Sequence, residues 1–179
     1  MKPHYYVLTA AALASLAGFI LTANNRIGPS YIYPDVPGAI SQEVTQENIH
    51  QTICVAGYTK TIRPPTSYTK PIEAQKVAQY NARNHTHFTP EEGELDHVIS
   101  LQLGGHPSDL KNLTFQPYDT YIDTMRIGAK EKDAVETYLK RRVCEGTLPL
   151  KDAQEMIVRD WYAVYLGITN PHIPLEVVE

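Results

Sequence analysis

Positive charge is in short supply. The 179 residues carry 16 Lys and Arg against 20 Asp and Glu, a formal net charge of -4. Non-specific affinity for nucleic acid rests on cations set against phosphates, so the protein as a whole is not a basic nucleic-acid binder. A nucleic-acid function must draw on a local positive surface, or on a metal ion that supplies the charge. Cysteine is scarce too, limited to Cys54 and Cys144. His85 and His87 have the H-x-H spacing of a zinc site, but no Cys or His lies nearby to complete a tetrahedral set, and they read as a surface loop. Internal repeats and low-complexity tracts are missing. Phe and Trp are few, 3 and 1, whereas Tyr reaches 12; Tyr suits half-exposed boundaries and stacking platforms. What remains, 42% hydrophobic residues, suffices for one globular domain with a core and not for two large ones.

The N-terminus indicates the compartment. Lys2 precedes an uncharged, Ala- and Leu-rich stretch over residues 5–25. A positive start followed by an apolar run is the pattern of a secretory signal, here residues 1–23. The run is also long enough to span a bilayer as an uncleaved anchor. Either way the protein is expected to be exported: periplasmic, secreted, or membrane-anchored facing outside. In an oxidising compartment Cys54 and Cys144 read as one disulfide closing a long loop. The other reading is two separate buried thiols.

Residues 24–45 are rich in Pro, Gly, Asn and Tyr and read as a linker. The globular domain spans residues 46–170, and residues 171–179 form an irregular tail. Residues 46–53 suit a short helical turn. Basic residues gather at Lys60, Arg63, Lys70, Lys76 and Arg83, and Pro71 is placed to open a helix. Residues 95–103 read as a strand, Gly104-Gly105 as a turn, and residues 112–115 as a second strand. Helices are expected over residues 129–143, with Val135, Tyr138, Leu139 and Val143 on one face, and from Pro149 to about residue 165. The buried stripe of that last helix is Ala153, Met156, Ile157, Trp161 and Val164. The fold class is α+β.

The segment LDHVISLQLGGHPSDLKNL, residues 95–113, concentrates the chemistry. Cutting a phosphodiester needs a base that takes a proton from water, and a near-neutral imidazole does this well; His97 is the candidate. It also needs a cation to neutralise charge on the phosphate. Asp96 offers carboxylate oxygen to a hard divalent ion. Neighbouring strand residues point to opposite faces, so Asp96 and His97 must sit at a strand end or bulge to serve one site. Asn112, returning after the Gly-Gly loop, is the candidate for fixing the imidazole. Around this centre Lys60, Arg63, Lys70 and His106 are candidates for phosphate contact.

The L-D-H-V-I-S-L-Q-L-G-G run followed by N-L resembles the HNH endonuclease superfamily. More closely, it is similar to small bacterial exported HNH-like proteins. Segments T-I-C-V-x-G (52–57), R-P-P-x-S-Y-T (63–69), G-A-K-E-K-D-x-V-E (128–136), V-C-x-G-x-L-P-L (143–150) and A-Q-x-x-I-x-x-D-W (153–161) extend the likeness over most of the chain after residue 46. The resemblance implies an HNH ββα-metal core, a hairpin plus a helix. It implies a metal-dependent endonuclease acting on DNA, or RNA, with Mg²⁺ as the cofactor and Mn²⁺ or Zn²⁺ as substitutes. Asp96 would be a metal ligand, His97 the general base and Asn112 the residue that orients it. The motif ordinarily closes with a His or Asn on the following helix. Here there is no His between His106 and His172, and the helix offers Glu131, Asp133 and Glu136 instead. Asp133 is the expected second metal ligand, with Glu136 next. That departure motivates an alternative, an exported HNH-fold module that binds nucleic acid or metal without turnover. A third reading is a secreted structural domain in which Asp96 and His97 only pack. No strong oligomerisation signal is present.

Overall fold

The computed structural model describes residues 28–170 and 172. The expected export segment, the start of the expected linker and nearly all of the expected tail lie outside these residues. Among the described residues are two antiparallel two-stranded hairpins and four α-helices, a mixed α+β arrangement. In chain order they are α1 (Tyr58–Ile62), α2 (Thr66–Asn84), β1 (Gly93–His97), β2 (Leu113–Pro117), β3 (Thr120–Ile122), β4 (Met125–Ile127), α3 (Ala129–Cys144) and α4 (Leu150–Thr169). Short 3₁₀ turns at Gln46–Gln51 and Leu101–Leu103 join them. No helix among the described residues is long and apolar enough to cross a membrane.

The main core lies between α3 and α4. Val135, Leu139 and Val143 recur at helical spacing on α3 and meet Leu150, Ala153, Ile157, Trp161 and Val164 of α4. Burial of each such side chain stabilises the fold by roughly 1.5–3 kcal/mol, which is why these two helices are where the apolar periodicity puts them. Tyr138 and Met156 sit half-buried at the margin. The last helix is not continuous: Asp160 leaves helical geometry (φ -162°, ψ 78°). Its carboxylate accepts from Ala163 N at 2.9 Å, capping the turn that follows, and from the Tyr33 hydroxyl at 2.9 Å.

Three expectations are corrected. The expected strand over residues 95–103 ends at His97. Beyond it Val98 N still donates to Asn112 O (2.8 Å), and then Ser100 caps the 3₁₀ turn by accepting from Gln102 N (3.1 Å). Val98, Leu101 and Leu103 are buried because the chain folds back over them, not because they alternate in a sheet. Helix α2 begins at Thr66, after Pro64-Pro65, so Pro71 is inside it rather than at its start. Pro71 and Ser67 are both exposed, and water can take the Ser67 carbonyl that the proline leaves without a donor. The expected linker is part of the fold from residue 28 onward. Ile32, Tyr33 and Val44 are in the main core, Trp161 Nε1 donates to Ile32 O (3.2 Å), and Ile40 forms a bridge with Gly105.

The short helix expected near residues 46–53 is present as a 3₁₀ turn. Just beyond it Cys54 is joined to Cys144, the last residue of α3, across 90 residues of sequence, with Cα atoms 5.7 Å apart. The β3–β4 hairpin between β2 and α3 has no counterpart in the sequence reading.

Candidate functional site

Asp96 and His97 occupy the end of β1, opposite Thr114 and Leu113 of β2. The geometry is the strand-end solution that two adjacent residues need. The Asp96 carboxylate curls back so that Oδ1 accepts from the backbone N of His97 at 2.7 Å.

His97 is buried at the edge of a cleft of about 250 Å³ lined by Arg63, Glu94, Asp96, Ser100, Asp133 and Glu136 among others. Its Nε2 lies 2.9 Å from the Pro107 carbonyl. A carbonyl only accepts, so Nε2 carries the proton and Nδ1 keeps the lone pair. Among the described residues no buried side-chain nitrogen or oxygen lacks a partner and Nδ1 has none, so Nδ1 keeps some access to solvent. Burial lowers the imidazole's affinity for a second proton; the Pro107 carbonyl and Asp96 oppose this, and Arg63 and Lys132 add to it. The net direction is down, which keeps the ring neutral.

Asn112 does not touch the imidazole. Fully buried, it uses all four of its hydrogen-bonding positions on backbone. Oδ1 accepts from Ile99 N (2.9 Å) and Ala39 N (3.2 Å), and Nδ2 donates to Ile99 O (3.0 Å) and His106 O (2.9 Å). It therefore holds the loop over residues 98–111 at both ends. His106 caps the turn beside it: Nδ1 accepts from Ser108 N (3.2 Å) and Asp109 N (3.0 Å). Between these two anchors lies the Pro107 carbonyl that fixes His97. Asn112 thus orients His97 through the loop, one step removed from the direct contact expected. Gly105 makes the loop fit, since a Cβ there would come within 1.7 Å of Ile99 O.

The helix side of the site holds a cation. Lys132 Nζ lies 2.7 Å from Asp96 Oδ2, 2.6 Å from Glu136 Oε1 and 2.9 Å from the His97 carbonyl oxygen. The second Glu136 oxygen accepts from Ser100 Oγ at 2.6 Å. Burial works against the Lys132 charge, but Asp96 and Glu136 outweigh it and hold the ammonium more firmly protonated than usual. Glu136 is pushed up by burial against the pull of Lys132. Asp133 is exposed, and its carboxyl is raised by partial desolvation first and then by Asp96. Glu94 is pushed up to about 7, by burial first and then by Asp96, Asp133 and Glu136.

Of the expected site residues, the structure brings together Asp96, His97, Arg63, Asp133 and Glu136 around the cleft. Lys60 and Lys70 are exposed elsewhere on α1 and α2, and His106 belongs to the turn; none of the three lines the cleft. Of the expected metal ligands Asp96, Asp133 and Glu136, Asp133 is exposed at the cleft, whereas a divalent ion between Asp96 and Glu136 does not fit, because a lysine ammonium already sits between those two carboxylates. Among the described residues no group of three or more His, Cys, Asp or Glu side chains is arranged to hold a metal ion. The sequence reading missed Glu94, Ser100 and Lys132. Glu94 shares a strand face with Asp96 by simple alternation. Lys132 is in step with Val135, Glu136, Leu139 and Val143, the buried face of α3, and that spacing is the signal that could have found it. No protein-family model, curated protein or solved structure matches the chain significantly.

Proposed function

We propose that the chain is an exported phosphodiester hydrolase acting on nucleic acid, DNA first, built on an HNH-type hairpin-and-helix core of β1, β2 and α3. One observation carries the reading: an imidazole at a strand end, its Nε2 held at 2.9 Å by the Pro107 carbonyl, lines the same cleft as Arg63. Nδ1 takes a proton from a water molecule while that water's oxygen bonds to phosphorus. The bond from phosphorus to the leaving sugar oxygen breaks, and the leaving oxygen takes a proton from solvent. Arg63, which lines the cleft, is the proposed phosphate ligand, a guanidinium being suited to bidentate contact. General-base catalysis of this kind is worth about 10²–10⁴-fold. The disulfide supports export, since such bonds persist in oxidising compartments.

The test is cleavage of plasmid, single-stranded DNA and RNA by the oxidised protein, in Mg²⁺, Mn²⁺, Zn²⁺ or EDTA, beside His97→Ala. Cleavage should drop at least ~10²-fold in the variant while its circular dichroism stays that of the parent. No cleavage by well-folded parent under any of these conditions sinks the hydrolase reading. A second reading, a binding module without turnover, is favoured by one feature: α3 has no His or Asn facing the site, and its Lys132 and Glu136 pair with each other and with Asp96 instead. Retained binding of nucleic acid without cleavage would establish it.

A further inference from the structure

We propose that Lys132 is the built-in cation of this site, standing where a divalent ion would otherwise bridge Asp96 and Glu136, and that it positions His97 without bound metal. The inference deepens the hydrolase reading and rests on it for its catalytic meaning.

An ammonium has three N–H donors and no acceptor. Lys132 has three acceptors within reach, one from each part of the site: Asp96 Oδ2, Glu136 Oε1 and the His97 carbonyl. The side chain is 4% exposed, so these three contacts, and not water, satisfy it. The carboxylates are equally committed. The remaining Asp96 oxygen accepts from His97 N and the remaining Glu136 oxygen from Ser100 Oγ. All four carboxylate oxygens of Asp96 and Glu136 thus already have a protein donor. A hard divalent ion asks for about six oxygens. To enter between Asp96 and Glu136 it would have to expel a cation that is tethered to α3 and fully paired.

The consequence is mechanical as well as electrostatic. Through the His97 carbonyl, Lys132 ties the end of β1 to α3 on the backbone side, while Pro107 holds the ring on the other. Lys132 is therefore a positioning residue: with its three protons spent inside the protein it cannot also bind phosphate. That task falls to Arg63, which is exposed at the cleft.

Two measurements on the oxidised full chain test this, and neither reads cleavage. In the first, Lys-selective ¹⁵N labelling should reveal a side-chain ammonium protected from exchange with water, unmoved by millimolar Mg²⁺; a saturable shift or loss of that resonance on adding Mg²⁺ overturns the proposal. Electron paramagnetic resonance should likewise find Mn²⁺ free beside the wild-type chain. One equivalent bound by wild type and released in Asp96→Asn overturns it as well. In the second, ¹⁵N shifts of the His97 ring report its tautomer. Wild type and Lys132→Arg should show protonated Nε2 and bare Nδ1, and Lys132→Met should lose that signature with helical content retained. A tautomer unchanged in Lys132→Met removes the positioning role; should Lys132→Met fail to fold, the wild-type measurements still decide. If cleavage is never seen and these results hold, the hydrolase reading fails alone; if cleavage is seen but Mg²⁺ displaces the ammonium, this inference fails alone.

Discussion

Glu94 and Asp96 point to the same side of β1, and the lysine goes to Asp96. The cost to Glu94 is visible in its carboxyl, held up to about 7 by burial and by the three neighbouring acids. Unfolded, the same group ionises near 4.5. Below that value both states are protonated and the group's contribution to stability is whole. As pH rises through about 7, the unfolded chain sheds its proton first and the contribution is lost. Glu94→Gln stays neutral and escapes the loss. The variant should therefore gain on the parent between about pH 5 and about pH 8 by on the order of 1 kcal/mol, a figure reduced for solvent screening of a half-buried group. Urea unfolding at the two pH values measures it, and an equal difference at both would show that Glu94 is not perturbed. At this scale the residue types were legible and their pairing was not. Asp96, His97 and Arg63 stood out because their chemistry is distinctive. Lys132 was passed over because nothing local says that its face of α3 closes over the end of β1.

The element whose behaviour depends most on one side chain is the loop over residues 98–111. Four backbone groups, Ala39 N, Ile99 N, Ile99 O and His106 O, rely on Asn112. Asn112→Ala leaves them buried without partners, and a net loss of about 1 kcal/mol per bond predicts destabilisation of roughly 3–5 kcal/mol. Asn112→Asp keeps the two acceptor contacts but sets a buried carboxylate oxygen against Ile99 O and His106 O, so it should be no more stable than Ala near neutral pH. Thermal unfolding ranks the three; an Asp variant close to the parent would mean that the donations to Ile99 O and His106 O carry little. Among the elements, α3 and α4 were readable because their apolar residues recur at one period over four turns or more. β1 was read too long because Val98, Ile99, Leu101 and Leu103 are apolar in a loop as well as in a strand. α2 was read too short because Pro71 was taken for a first-turn proline, although the flanking exposure lets the helix run through it.

Across the whole molecule two ties hold distant parts of the chain together. The disulfide joins Cys54 to the end of α3. A bond closing a loop of this length lowers the entropy of the unfolded chain, and replacing both cysteines by serine should destabilise by about 2–5 kcal/mol. The loss is read as a lower Tm, matched by adding reductant to the parent; a Tm indifferent to both would show that the bond carries no stability. The other tie is the segment from residue 28, which reaches α2 and α4 at once. Arg83 donates to Tyr33 O (2.8 Å), Tyr80 OH to Tyr31 O (2.7 Å), and Tyr33 OH to Asp160. Its Pro- and Gly-rich composition gave it the look of a linker. Irregular backbone is still able to pack when its polar groups find partners in neighbouring elements, and those partners are about 50 to 130 residues away in sequence.

The sequence by itself determined what is local: the mixed α+β class, the two long C-terminal helices, the turn at Gly104-Gly105 and the gathering of Asp96, His97 and Asn112 in one short segment. Each follows from periodicity, from backbone freedom at glycine or from the side chain's own reactivity. Only the tertiary structure decided which cation answers Asp96, that Asn112 reaches His97 through the Pro107 carbonyl, and that the segment from residue 28 belongs to the core. These depend on which surfaces of α3, β1 and the loop meet, and burial there turns an ordinary helix lysine into the centre of an ion-paired network.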